Sequence, residues 1–147
     1  MEVVVDLRNT MPSDLEAVRR LLREAGLPTE GVEDQFPAQY RVATVEGAVV
    51  GVAGLELHGR AGLFRSLAVR SAFRGTGVGT HLVRERIEWA RARGLSHVFL
   101  LTTTASSYFE KFGFRRAERG IAPEALAKSK EFASLCPSSA ICLVWQP

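Results

Sequence analysis

Residues 63–79 read LFRSLAVRSAFRGTGVG and constrain the fold more than any other part of the chain. The stretch opens as an apolar run, Leu63, Phe64, Leu67, Ala68 and Val69, broken only by Arg65 and Ser66. It then passes through a short polar turn into Arg74-Gly75-Thr76-Gly77-Val78-Gly79. Beyond the glycines the spacing is helical, with Val78, Leu82, Val83, Ile87 and Ala90 on one face and Gly94 as the stop. Strand, glycine turn and helix start in that order make an anion site. The first N–H groups of the helix lack intrahelical partners, the helix dipole adds positive potential, and glycine removes the Cβ atoms that keep a phosphate off the backbone. The turn is read as the seat of a cofactor diphosphate.

The rest of the chain supplies a sheet around this unit. Residues 2–8 are valine-rich and read as a first strand. Pro12 with Ser13 and Glu16 at capping-box spacing opens a helix whose core face is Leu15, Val18, Leu21, Leu22 and Ala25, ended by Gly26. Residues 27–37 are polar and turn-rich, and the sequence leaves open whether they close over a substrate or form a mobile surface loop. Residues 40–45 and 48–57 form a hairpin about Glu46-Gly47, and a second turn at residues 58–60 leads into the strand at 63–69. The apolar run at 98–101, continued by Thr102, Thr103 and Thr104, predicts a strand covered on both faces. Residues 105–112 predict a short helix, Phe114 opens another strand, 123–135 is helical, and 140–145 is a last strand.

With 147 residues the chain is long enough for one domain with a real core. No apolar run approaches the ~20 residues of a membrane span, and residues 1–6 lack a basic leader, so a cytoplasmic protein without membrane attachment is expected. Cys136 and Cys142 have neither C-x-x-C spacing nor a histidine nearby, which predicts no metal. Residues 60–119 hold twelve Lys/Arg against four Asp/Glu, while the remainder holds seven against twelve. Arg84, Arg86, Arg91 and Arg93 read as a solvated helix face, and the basic half as a field that recruits an anionic cofactor. Aromatics are not interleaved with these arginines, so nucleic acid is not an expected partner.

The loop lacks the lysine of a Walker A motif, and Thr80 stands where a Rossmann fingerprint needs its third glycine. What fits is Arg/Gln-x-x-Gly-x-Gly/Ala after a strand ending in Ala-Val, followed later by Glu110-Lys111-Phe112-Gly113-Phe114. In these respects the chain resembles the GNAT superfamily of acetyl-CoA-dependent N-acetyltransferases over nearly its whole length. The resemblance implies an α/β (α+β) domain at 1–147, with a mixed, mostly antiparallel sheet of about six or seven strands flanked by helices and splayed at the cofactor. It implies backbone contacts to acetyl-CoA from Leu67, Ala68 and Val69, and diphosphate contacts from Gly75, Thr76, Gly77, Val78, Gly79 and Thr80. Arg74 is either beside the phosphates or a surface residue at the helix entry.

Two departures matter. Many relatives have a tyrosine where this chain has Phe109, and a glutamate where it has Leu63. Neighbouring Tyr108 is turned by about 100° on a helix and is expected to pack or hydrogen-bond near the cofactor. Glu56 is the nearest replacement base; otherwise it is an exposed charge at a hairpin end, and His58 a solvated turn residue. Residues 63–69, 100–105 and 135–140 look like the subgroup labelled arsenic-resistance N-acetyltransferase. That resemblance implies acetylation of a small amine, including an arsenical amino acid, with Arg65, Ser66, Thr103, Ser138 and Ser139 around the pocket. Arg65 pairs either with an acceptor carboxylate or with Glu56 on the neighbouring strand. Cys136 reads as a lone buried thiol. A homodimer through the last strands, at 142–145, is a further expectation of the family. The alternative function is a non-catalytic acyl-CoA-binding or sensing module.

Overall fold

Glu46 (φ 50°) and Gly47 (φ 81°) are both left-handed, the conformation that a two-residue hairpin turn demands. This turn joins β2 (Tyr40–Val45) to β3 (Ala48–His58), and Gly59 (φ 67°) turns β3 into β4 (Ala61–Val69). The computed structural model describes residues 4–129, 132 and 140–147. Its other strands are β1 (Asp6–Asn9), β5 (His97–Thr102), β6 (Arg115–Arg116) and β7 (Ile141–Trp145). The helices are α1 (Leu15–Glu24), α2 (Val78–Ala92), α3 (Ser106–Glu110) and α4 (Glu124–Ala127). The sheet has seven strands in the order β1-β2-β3-β4-β5-β7-β6, antiparallel except between β4 and β5.

Both faces of the sheet are covered. On one, Val18, Leu21 and Leu22 of α1 bury against Tyr40, Val42, Val52 and Ala68. On the other, Val78, Leu82, Val83 and Ile87 of α2 pack on Ala43, Ala53, Leu55, Phe64 and Leu100. Gly51 admits α2 closely: a Cβ there would stand 3.0 Å from Val78 and 3.1 Å from Leu82. A third cluster joins Leu63, Phe99, Leu126, Phe132, Cys142 and Val144. Each fully buried Leu or Phe in these clusters contributes roughly 1.5–3 kcal/mol of transfer free energy.

Several local expectations are corrected. The α1 entry is not capped by Ser13 and Glu16. Asp14 instead accepts the Met11 N–H at 2.7 Å while also holding Arg8 through two bonds of 2.8 and 2.9 Å. The first strand starts at Asp6 among the described residues, and β5 ends at Thr102, leaving Thr103 and Thr104 exposed on a bend. Arg86, expected on a solvated face, is 1% exposed. It donates to the Gln39 carbonyl at 3.0 Å, grips Glu85 and lies over Trp89 at 4.7 Å. The last strand is not a free pairing edge: β7 lies between β5 and β6. The helix expected at 123–135 is described as α4 only, and Cys136, Ser138 and Ser139 lie outside the described residues.

One irregularity positions everything that follows. β4 and β5 pair over only Ala61↔His97, Gly62↔Val98 and Leu63↔Phe99. Beyond that point β5 pairs on its other side with β7, while β4 stays with β3 as far as Val69. The register of β3 on β4 shifts between Val52↔Ala68 and Gly54↔Arg65, so Ser66 and Leu67 together oppose Ala53. Ser66 carries the extra residue at φ 62°. A bulge of this kind bends its strand, and here it accompanies a parting of two parallel strands in the middle of the sheet.

Candidate active site

The glycine loop closes on itself before the helix begins. The Thr76 hydroxyl donates to the Phe73 carbonyl, and Arg74 Nε donates to the Val69 carbonyl at 3.2 Å. Gly75 (φ 79°) and Gly77 (φ 91°) take left-handed conformations that a side chain would strain, and Gly77 is the N-cap of α2. Gly75, Thr76 and Gly77 are exposed, whereas Val78 is 1% exposed and fixes the helix start to the core. The α2 ladder starts with the His81 N–H on the Gly77 carbonyl at 3.0 Å, which leaves the preceding N–H groups without an intrahelical partner. Gly79 lies in the first turn of α2, where a Cβ would stand 3.2 Å from the Tyr108 hydroxyl. The expected diphosphate residues thus form one surface, with Tyr108 as a neighbour contributed by α3.

The parted strands open a cleft of about 390 Å³ beside this loop. Phe64, Arg65, Ser66 and Leu67 line one wall and residues 100–105 the other, with Tyr108 and Phe109 at the base and residues 25–28 at the far end. Leu67 and Val69 are half-buried and Ala68 is 4% exposed. Past Leu63 the β4 edge facing β5 has no strand partner, which leaves backbone groups able to pair with an extended ligand. Arg65 is the only charged residue among the described residues lining the cleft.

Arg65 and Glu56 form a buried pair. The Arg65 side chain is 1% exposed and that of Glu56 is 6% exposed. Arg65 Nη1 donates to Glu56 Oε2 at 3.2 Å, Nε to Ser66 Oγ at 3.0 Å, and Nη2 to the Glu30 carbonyl at 3.1 Å. Glu56 Oε1 lies 3.1 Å from His58 Nε2. Glu56 is therefore neither an exposed hairpin charge nor a lining residue of the cleft, and His58 is its partner, not a solvated turn residue. Ser66 and Thr103 both line the cleft, on opposite walls.

Neither departure at Leu63 or Phe109 is repaired nearby. Leu63 is 0% exposed in the third apolar cluster, and Phe109 packs edge-on against Phe64 and Phe114 at 5.6 and 5.9 Å. Tyr108 meets Phe109 and Phe112 at 5.2 and 5.3 Å, which fixes its ring and aims its hydroxyl at α2. Residue spacing carries no signal for this aim. Burial pushes the Cys142 thiol up, against a smaller opposing effect of Arg119, so this thiol is a core residue. Among the described residues no group of three or more His, Cys, Asp or Glu is placed to hold a metal ion, and no helix is long and apolar enough to cross a membrane.

A strand edge parted from its neighbour, beside a glycine-capped helix start, is matched in sequence as well as shape. The model of the acetyltransferase (GNAT) family matches residues 7–114. The chain belongs to the GNAT acetyltransferase family. It is an acyltransferase, and acetyl-CoA is its cosubstrate. An uncharacterised N-acetyltransferase of Chlorobaculum tepidum is 26% identical over 148 residues, covering 92% of this chain and 90% of that one. An amino-acid acetyltransferase of Shewanella oneidensis is 31% identical over 116 residues, covering 74% of this chain but 26% of its own length. The N-acetylglutamate synthase of Neisseria gonorrhoeae, solved with coenzyme A and N-acetyl-glutamate, superposes with a TM-score of 0.82 at 24% identity. That match covers 99% of this chain and 36% of the synthase chain, so this GNAT domain spans about a third of that neighbour.

Proposed function

We propose that this GNAT domain acetylates the α-amine of a small, amino-acid-like acceptor that carries a carboxylate. The observation that carries the reading is the lining of the cleft, where Arg65 is the one charged residue among those described and no carboxylate appears. Arg65 brings a guanidinium to the cleft wall while its counter-ion Glu56 lies outside the lining, so an acceptor carboxylate meets a cationic group there and no acidic one. The proton balance favours the same class. Deprotonating a lysine-type amine at neutral pH costs about 4–5 kcal/mol, and an α-amine, which titrates below it, costs less. A cleft without a carboxylate base suits the second. The amino-acid acetyltransferase relative and the synthase solved with N-acetyl-glutamate support the acceptor class.

When bound, acetyl-CoA supplies the acetyl group as a thioester. The amides of Gly75, Thr76, Gly77, Val78, Gly79 and Thr80 hold its diphosphate, with Arg74 beside them. The backbone of Leu67, Ala68 and Val69 orients its arm along the open β4 edge. Arg65, Ser66 and Thr103 orient the acceptor. Glu56 has its two oxygens on Arg65 and His58, and its role is to hold Arg65, not to take the proton from the amine directly. Within this class we include arsenical amino acids, on the three sequence words shared with the arsenic-resistance subgroup. A cytoplasmic homodimer belongs to the same proposal.

A thiol-release assay tests it, with purified protein, acetyl-CoA and a panel of glutamate, glutamine, neutral amino acids, an arsenic-bearing amino acid and lysine peptides. Acceptor-dependent release is expected with the carboxylate-bearing α-amines. The apolar Leu63 and Phe109 favour a second reading, a non-catalytic acyl-CoA sensor. Binding of coenzyme A without thiol release from any amine decides for the sensor, and release confined to lysine peptides overturns the acceptor class.

A further inference from the structure

Residues 27–37, which the sequence leaves open as either a cover for the substrate or a mobile surface loop, are anchored specifically, together with the two residues that lead into β2. At its start, residues 27 and 28 form the far end of the cleft. Val32 is 0% exposed against α1 and β2. At its end, the Gln39 carbonyl accepts both the Leu55 N–H at 2.9 Å and Arg86 Nη1 at 3.0 Å. Between these points Gln35 makes an unusual pair of bonds. Its Oε1 accepts the Leu57 N–H at 2.6 Å, and its Nε2 donates to the Leu57 carbonyl at 2.8 Å.

The reason for this pair lies in the sheet. β2 pairs with β3 only from Tyr40↔Gly54 onward, so the β3 edge at Leu57 extends past the end of β2. Buried backbone groups that lack a partner cost free energy comparable to a lost hydrogen bond. A primary amide presents its oxygen and one of its two N–H donors side by side, and Gln35 uses this edge to add a rung to the ladder. Glu56, next to Leu57, holds Arg65, and Arg65 holds the Glu30 carbonyl. The wall at 27–30 is thus clamped from both sides of β3, by Arg65 within the cleft and by Gln35 outside it.

We propose that Gln35 is a positioning residue that sets acceptor specificity by fixing the 27–30 wall, without touching acceptor or cofactor. This rests on the cleft being the acceptor site. A wall held in one place admits acceptors up to one length, and releasing it lowers the fraction of molecules with the pocket formed, which raises the apparent acceptor KM by the same factor. Acetyl-CoA, held by α2 and the β4 edge, is insulated from that change.

The test compares wild type with Gln35→Ala and Gln35→Glu, the latter keeping an acceptor but losing the donor, in the full chain. The amine is the best acceptor of the panel together with its homologue one methylene longer. The expected result is a rise of about fivefold in acceptor KM, an acetyl-CoA KM unchanged, and a reduced preference for the shorter acceptor. Amide exchange at residues 29–34 should quicken in both variants while β5 stays protected. Unchanged acceptor constants, an equal shift in both KM values, or loss of folding in both variants overturns the proposal. If no amine in the panel is acetylated, the acceptor reading fails separately, and amide exchange alone then decides this one: unaltered exchange at 29–34 refutes it.

Discussion

The Tyr108 hydroxyl stands 3.2 Å from the point a Cβ on Gly79 would occupy, so the first turn of α2 is walled by a side chain from α3. Gly79 has no left-handed backbone requirement. Its missing side chain therefore serves space and not conformation. Gly79→Ala is expected to leave thermal stability within about 1 kcal/mol of wild type, because the helix gain offsets the small displacement of Tyr108. The acetyl-CoA KM should rise nonetheless. Calorimetric unfolding and initial rates on the same preparation check both halves.

Gly77 behaves differently. At φ 91° it caps α2 in a conformation that L side chains avoid. Gly77→Ala is expected to cost about 1–2 kcal/mol of stability in addition to weakening coenzyme A binding. Denaturant melts of the Gly77 and Gly79 variants side by side separate strain from lost space.

Glu56 and Arg65 are buried partners, and removing one leaves the other charged and uncompensated. Glu56→Ala is expected to destabilise by about 3 kcal/mol, and Arg65→Met by a similar amount. The double variant should lose less than the sum of the two, as a double-mutant cycle by denaturant unfolding reports. Because Glu56 acts by holding Arg65, the shape of the pH–rate profile should persist in any folded Glu56→Gln enzyme while the acceptor KM rises. A lost limb of that profile would make Glu56 the base.

Asp14 ties the α1 entry to β1. The hydrogen bonds from Arg8 hold its carboxyl below the usual aspartate range; partial burial opposes them, and the Met11 N–H and the Arg8 charge reinforce them. A carboxyl lowered in the folded chain adds stability that is complete above the ordinary aspartate value of about 4 and fades as the pH falls through the lower folded value. Asp14→Asn should therefore cost about 1 kcal/mol near neutrality and progressively less in acid. Melting curves across that range check the convergence.

What the sequence revealed was what the backbone itself encodes. Glycines at 75, 77 and 79 after an Ala-Val strand announce a loop that only a glycine-rich chain can make, and Glu46-Gly47 announces its hairpin. The Glu56–Arg65 pair was legible as one of two alternatives, because residues of adjacent antiparallel strands come within reach; the register makes it a diagonal pair, with Leu63 opposite Glu56 and Gly54 opposite Arg65. The bulge at Ser66 was not, since nothing in Leu63-Phe64-Arg65-Ser66-Leu67 distinguishes a bulged strand from a regular one. Arg86 was misplaced because a charge on an amphipathic helix is ordinarily solvated; here a carbonyl, a carboxylate and a tryptophan face replace the water. Gln35 carried no signal, because its partner is the peptide group of Leu57, which every residue possesses.

The most direct measurement is a titration of coenzyme A into the isotope-labelled protein, followed through backbone amide resonances. The diphosphate seat predicts saturable shifts that are largest at Gly75, Thr76, Gly77, Gly79 and Thr80, extend to Leu67, Ala68 and Val69, and nearly vanish in Gly79→Val. Shifts centred elsewhere, or binding that Gly79→Val leaves intact, would contradict it.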